Sequence, residues 1–130
     1  MDNKPKIHEL TRREREIMEV IYRLGEASAV DIVNELPGKP NNATIRTLLG
    51  ILEEKGFLQH ETVKGRYIYG PTIPLHQARR TALNHVVKTF FNGSEASAAI
   101  SILKKSDANL SEDDVEMILE IINKSRKEGR

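Results

Sequence analysis

The side chains best placed to do chemistry are small, polar and basic, and they share one helical stretch. On a wheel of about 100° per residue, Ala43, Arg46, Thr47 and Gly50 lie on one face of the helical stretch that Asn41 or Asn42 can cap and Gly56 ends, with Asn42 and Thr44 at its flanks. Ile45, Leu48, Leu49 and Leu52 take the opposite stripe. No acidic residue occurs between Glu35 and Glu53, whereas Lys39 and Arg46 do. Slim residues permit close approach to a polyanion, and the hydroxyls, amide and guanidinium supply hydrogen bonds. The missing carboxylates remove repulsion from phosphates. Arg46 can meet guanine O6 and N7 or clamp a phosphate, and Thr44 and Thr47 can donate to phosphate or touch a thymine methyl. Taken alone, the pattern equally describes a solvated helix face.

A second basic pair, Lys64 and Arg66, flanks Gly65 between two runs of β-formers, Phe57–Thr62 and Arg66–Tyr69. At the tip of such a hairpin the two cations would meet a phosphate backbone, or simply mark an exposed turn.

Other chemistries find little support. His8, His60, His76 and His85 are scattered without metal-ligand spacing and read best as surface histidines. Glu112, Asp113, Asp114 and Glu116 sit where a helix N-terminus favours acids. The eight glycines form no phosphate-binding loop. With no cysteine there is no disulfide, thiolate metal site or thiol nucleophile. The sequence predicts a protein that is not an enzyme and needs no cofactor or metal.

The elements that position these residues follow from apolar spacing. The i, i+3, i+4, i+7 pattern recurs on Ile17–Leu24, Ala29–Leu36, Ile45–Leu52, Leu83–Phe90, Ala96–Leu103 and Val115–Ile122. Thr11 with Glu14 reads as a capping box and Ser28 with Asp31 as a weaker one. Gly25 and Gly56 close the first and third helices, and Pro37-Gly38-Lys39-Pro40 turns the chain before the third. The last helix opens with Ser111-Glu112-Asp113-Asp114 and ends with Lys124, Arg126 and Lys127, which suits its macrodipole. Residues 63–65 form a hairpin turn, and Gly70–Pro74 opens a new unit. The expected fold is mainly α with a small β-hairpin, in two parts. Residues 1–74 form a winged helix-turn-helix domain, and residues 75–130 a helical subdomain. That second part is too short to support its own core without disulfide or metal, so oligomerisation is its expected source of stability.

Composition sets the outer bounds. The 130 residues suit one domain or two small ones, and the net charge is +1. Residues 1–74 hold eleven bases and eleven acids, so the basic character is one of placement. No run approaches a membrane span of about 18–20 apolar residues, and Met1–Lys6 lacks a secretory apolar core. No membrane association is expected, and the location expected is the cytoplasm.

The run Asn42-Ala43-Thr44-Ile45-Arg46-Thr47-Leu48, then Leu52-Glu53-Glu54-Lys55-Gly56-Phe57-Leu58, then Gly65-Arg66-Tyr67-Ile68-Tyr69-Gly70-Pro71 resembles the penicillinase-repressor family of the BlaI/MecI/CopY type. Leu10-Thr11-Arg12-Arg13-Glu14 and Ser28-Ala29-Val30-Asp31-Ile32 fit as well. The likeness is strongest over residues 8–73 and continues through Lys88–Gly93. It implies a homodimeric transcriptional repressor on palindromic double-stranded DNA operators, acting on β-lactamase or antibiotic-response genes. The DNA-contacting set would be Lys39, Asn42, Thr44, Arg46, Thr47, Lys64 and Arg66. Dimerisation would fall to Leu83, Val87, Phe90, Phe91, Ile100, Leu103, Ile118, Leu119 and Ile122. A membrane sensor protease system is the implied upstream partner. Two features depart from the family. The paired cysteines of copper-responsive members are absent, and Ser101-Ile102 stands where antibiotic-responsive members carry their cleaved Asn-Phe pair. The rival reading is a winged-helix protein-interaction module that binds no DNA, but such modules usually place acids or apolar groups on the third helix.

Overall fold

The computed structural model describes residues 6–105 and 108–129; the N-terminal run read above for a secretory core lies, up to residue 5, outside the described residues. A 3-10 turn at Ile7–Glu9 leads into α1 (Arg12–Leu24), α2 (Ala29–Glu35) and α3 (Asn42–Glu54). Strands β1 (Leu58–Val63) and β2 (Arg66–Pro71) follow, then α4 (Leu75–Phe90), α5 (Glu95–Leu103) and α6 (Glu112–Lys127). The mainly helical architecture with one hairpin is the one expected from the apolar periodicity.

Local chemistry sets the helix ends. Thr11 and Glu14 form a reciprocal capping box on α1, and so do Ser28 with Asp31 on α2 and Ser111 with Asp114 on α6. Asn41, rather than Asn42, caps α3: its side-chain oxygen accepts the Ala43 N–H at 2.7 Å. At the other end of α3 the Gly56 N–H donates to the Glu53 carbonyl and the Phe57 N–H to the Leu52 carbonyl. That Schellman pairing needs a residue with positive φ, and Gly56 supplies it at +91°.

The strands pair antiparallel in a register that sets Leu58 opposite Pro71 and Val63 opposite Arg66. Only Lys64 and Gly65 lie in the turn, with φ of 52° and 77°, the backbone of a two-residue type I′ hairpin. The second strand runs to Pro71 rather than ending at Gly70. A proline is tolerated there because the strand lies at the end of a two-stranded ladder. Ala27 adds a short bridge to Tyr69, with N–H···O bonds of 2.9 and 2.8 Å, and so ties the α1–α2 junction to the hairpin.

The chain divides into two compact units, residues 1–86 and 87–130, so α4 begins in one and ends in the other. The core of the first unit joins Ile17, Met18 and Ile21 of α1 to Ile32 of α2, to Ile45, Leu49 and Leu52 of α3, and to Leu58. Each large apolar side chain buried there contributes about 1.5–3 kcal/mol. The apolar stripe deduced for α3 therefore faces inward, with Leu48 at its half-buried edge. In the second unit Val87 and Ala98 are buried, while most of the other large apolar side chains stay exposed.

Candidate nucleic-acid interface

Packing of α3 fixes the face it presents. With Ile45, Leu49 and Leu52 fully buried, Asn42, Ala43, Thr44, Arg46, Thr47 and Gly50 all stand exposed. The Thr47 hydroxyl donates back to the Ala43 carbonyl at 3.1 Å, which satisfies the hydroxyl within the helix. Lys39 sits in the turn before α3 with φ of 41° and is exposed.

The hairpin places a second cation beside this face. Arg46 of α3 and Arg66 of β2 line one cleft of about 470 Å3, together with Ser28, Gly65, Tyr67 and Tyr69. Lys39, Asn42, Thr44, Thr47 and Lys64 do not line it; they are exposed on α3, its preceding turn and the hairpin tip. Two guanidinium groups facing one concavity suit an anionic edge, since each can hold a phosphate through paired N–H donors. Burial pushes the Tyr69 phenol above its ordinary range, and the nearby Arg46 charge opposes that shift. The Asp31 carboxyl is held low by its hydrogen bonds to Ser28 and, more weakly, by Arg66.

Two polar contacts brace the face, and neither was anticipated from the sequence. His60 donates from Nδ1 to the Glu53 carboxylate at 2.7 Å and stacks on Tyr67 with ring centroids 4.0 Å apart. It thereby links the last turn of α3 to both strands. Lys55, just past the end of α3, reaches the buried Glu14 of α1 at 2.9 Å. The Glu14 carboxyl is held below its ordinary value by the Thr11 N–H and then by Lys55. The signal for His60 lies in the register, which sets it opposite Tyr69. No local pattern could announce the Glu14–Lys55 pair.

The residues expected to make a dimer are distributed unevenly. Leu83, Phe90, Ile100, Leu103, Leu119 and Ile122 are exposed, with Phe90 at 74%. Phe91 and Ile118 are half-buried, and Val87 is buried within the chain. Among the described residues there is no group of three or more potential metal ligands, and no helix is long and apolar enough to cross a membrane.

The model of the penicillinase repressor family matches residues 10–124. A 16.5 kDa protein from Latilactobacillus sakei is 35% identical over 77 residues, which make up 58% of this chain and 53% of that relative's length. The methicillin resistance regulatory protein MecI of Staphylococcus aureus is 28% identical over 126 residues, covering 95% of this chain and 99% of its own. MecI of Staphylococcus epidermidis matches to the same extent.

Proposed function

This chain belongs to the penicillinase repressor family, and we propose that it represses transcription by binding palindromic operator DNA as a homodimer. The observation that carries the reading is the face of α3: Thr44, Arg46 and Thr47 stand exposed on a helix whose other side is locked into the core, and Arg66 shares a cleft with Arg46. In this reading α3 enters the major groove. Arg46 reads a guanine edge or holds the adjacent phosphate, and Thr47 turns its methyl to the bases. Asn42, Thr44 and Lys39 lie towards the N-terminal end of the helix, the end that helix-turn-helix readers bring to the bases. Lys64 and Arg66 take the backbone from the hairpin.

The second unit supplies the dimer. Its Phe90, Ile100, Leu103, Leu119, Ile121 and Ile122 are large apolar side chains exposed in the single chain, the kind of surface from which interaction sites are built. A second copy of the chain covers that surface, and a two-fold axis then sets the reading helices about one turn of DNA apart, roughly 34–36 Å. The family assignment and the MecI relatives favour antibiotic-response genes as targets. The Ser101-Ile102 pair makes any proteolytic inactivation differ in sequence from that at an Asn-Phe bond.

The test is fluorescence anisotropy of the full chain on a duplex at about 50 and about 200 mM salt. Binding should weaken steeply with salt, and Lys64→Ala should reduce the slope. A protein that does not bind duplex at low salt is the interaction module instead.

A further inference from the structure

The 3-10 turn and the first turns of α4 enclose a second cleft, of about 410 Å3, lying within the 1–86 unit and lined by none of the residues assigned to DNA. We propose that this cleft binds a compact dianionic small molecule, one that carries a phosphate or a pair of carboxylates. Its volume falls within the range of about 300–1,000 Å3 usual for small-molecule sites. Lys6, His8, His76 and Arg80 line it, Gln77 and Asn84 add neutral hydrogen-bonding groups, and among the described residues no carboxylate belongs to its lining. Among the described residues Lys6 and Arg80 make no ion pair, so an incoming anion displaces none. The charge pattern extends along the helix. From Leu75 to Phe90 α4 has no acid, yet it carries Arg79, Arg80 and Lys88. An excess of bases on α4 favours anions through the local field.

The histidines sharpen the chemistry. His8 stacks on His85 of α4, with ring centroids 3.7 Å apart and planes within 4°. Its Nδ1 is buried and has no hydrogen-bond partner among the described residues. Burial first, then His85, lowers the His8 pKa; Lys6 lowers it further, and Glu9 opposes. The cleft therefore combines two cationic side chains, Lys6 and Arg80, with a His8 imidazole held towards the neutral form. Two fixed charges match a dianion. Once bound, the anion stabilises protonated His8, so the His8 pKa rises in the complex.

The walls join the segment that leads into α1 to the helix that continues into the 87–130 unit, so a ligand bridging them is placed to alter operator affinity. That consequence rests on the DNA-binding reading; the binding of the anion does not.

The experiment titrates the full chain with inorganic phosphate, and separately with succinate, against chloride at matched ionic strength. It follows the His8 and His85 ring protons by NMR. Saturable shifts at one site per chain are expected, with the His8 pKa raised in the bound state. Arg80→Gln and Lys6→Gln should each weaken binding by about tenfold or more, as loss of a charged hydrogen bond requires, with Tm unchanged. A response to phosphate alone identifies a phosphate ligand, and a response to succinate alone a dicarboxylate. Shifts that stay linear in both arms, or equal affinity in Arg80→Gln, overturn the proposal. So does a loss of duplex affinity in Arg80→Gln without any saturable anion shift, which would assign these cations to DNA. The anion arms contain no DNA, so their failure and a failure of the DNA-binding reading are separate results.

Discussion

Replacing Glu14 by Gln tests how the reading helix is anchored. Glu14 is only 2% exposed, and its carboxylate accepts the Thr11 N–H at 2.9 Å and the Lys55 ammonium at 2.9 and 3.2 Å. Gln keeps the shape and can still accept from Thr11, since Gln also serves in capping boxes. What is lost is the charge on the Lys55 contacts. Charge-assisted hydrogen bonds are worth about 1.5–3 kcal/mol, and Lys55 can turn partly into water, so a cost of about 1–2 kcal/mol is expected. The pH dependence gives a second handle. The Glu14 pKa is lowered in the folded state from an ordinary value of 4.5. Its contribution is therefore fully present above that value and is lost as pH falls through the lower folded value. Asp31 titrates in the same direction, but it does so in both proteins and cancels from their difference. Urea denaturation at one fixed protomer concentration, at about pH 7 and about pH 3, reads both quantities. The deficit should be clear at the higher pH and small at the lower. A variant as stable as the parent at neutral pH, or a deficit independent of pH, refutes the anchoring role.

Further tests address the interface and the core. Arg46→Ala should cost about 1–3 kcal/mol on a selected operator and leave the oligomeric state intact, as read by anisotropy and sedimentation. Leu49, fully buried in the first unit, should cost about 2–5 kcal/mol on replacement by Ala, measured by chemical denaturation. Ile100→Asp combined with Ile122→Asp should convert a dimer to monomer in sedimentation. It should also weaken operator binding, because unlinked half-sites lose effective concentration.

The elements were legible because local rules agreed with the fold. All six apolar stripes became helices, the capping boxes at Thr11 and Ser28 formed, and Lys64-Gly65 made the turn between the strands. The faces were less legible where burial needs partners distant in sequence. The periodicity of α1 includes Leu24, yet Leu24 is exposed at the end of its helix. In α5 the buried residue is Ala98, not the Ile100 and Leu103 of the apolar stripe. The face of α3 proposed to meet DNA was visible as an acid-free segment. The cleft shared by Arg46 and Arg66 was not, because only the fold brings residues twenty positions apart to one concavity. The Glu53–His60–Tyr67 contacts and the His8–His85 stack join separate elements in the same way.

The central claim is that two copies of α3 read two related half-sites. Selection of bound sequences from a random duplex library, using the full chain, tests it most directly. The account predicts enrichment of an inverted repeat with half-site centres about one helical turn, roughly 10 base pairs, apart, and loss of that enrichment in Arg46→Ala. Enrichment of a single unrepeated site, or of no sequence at all, would contradict it.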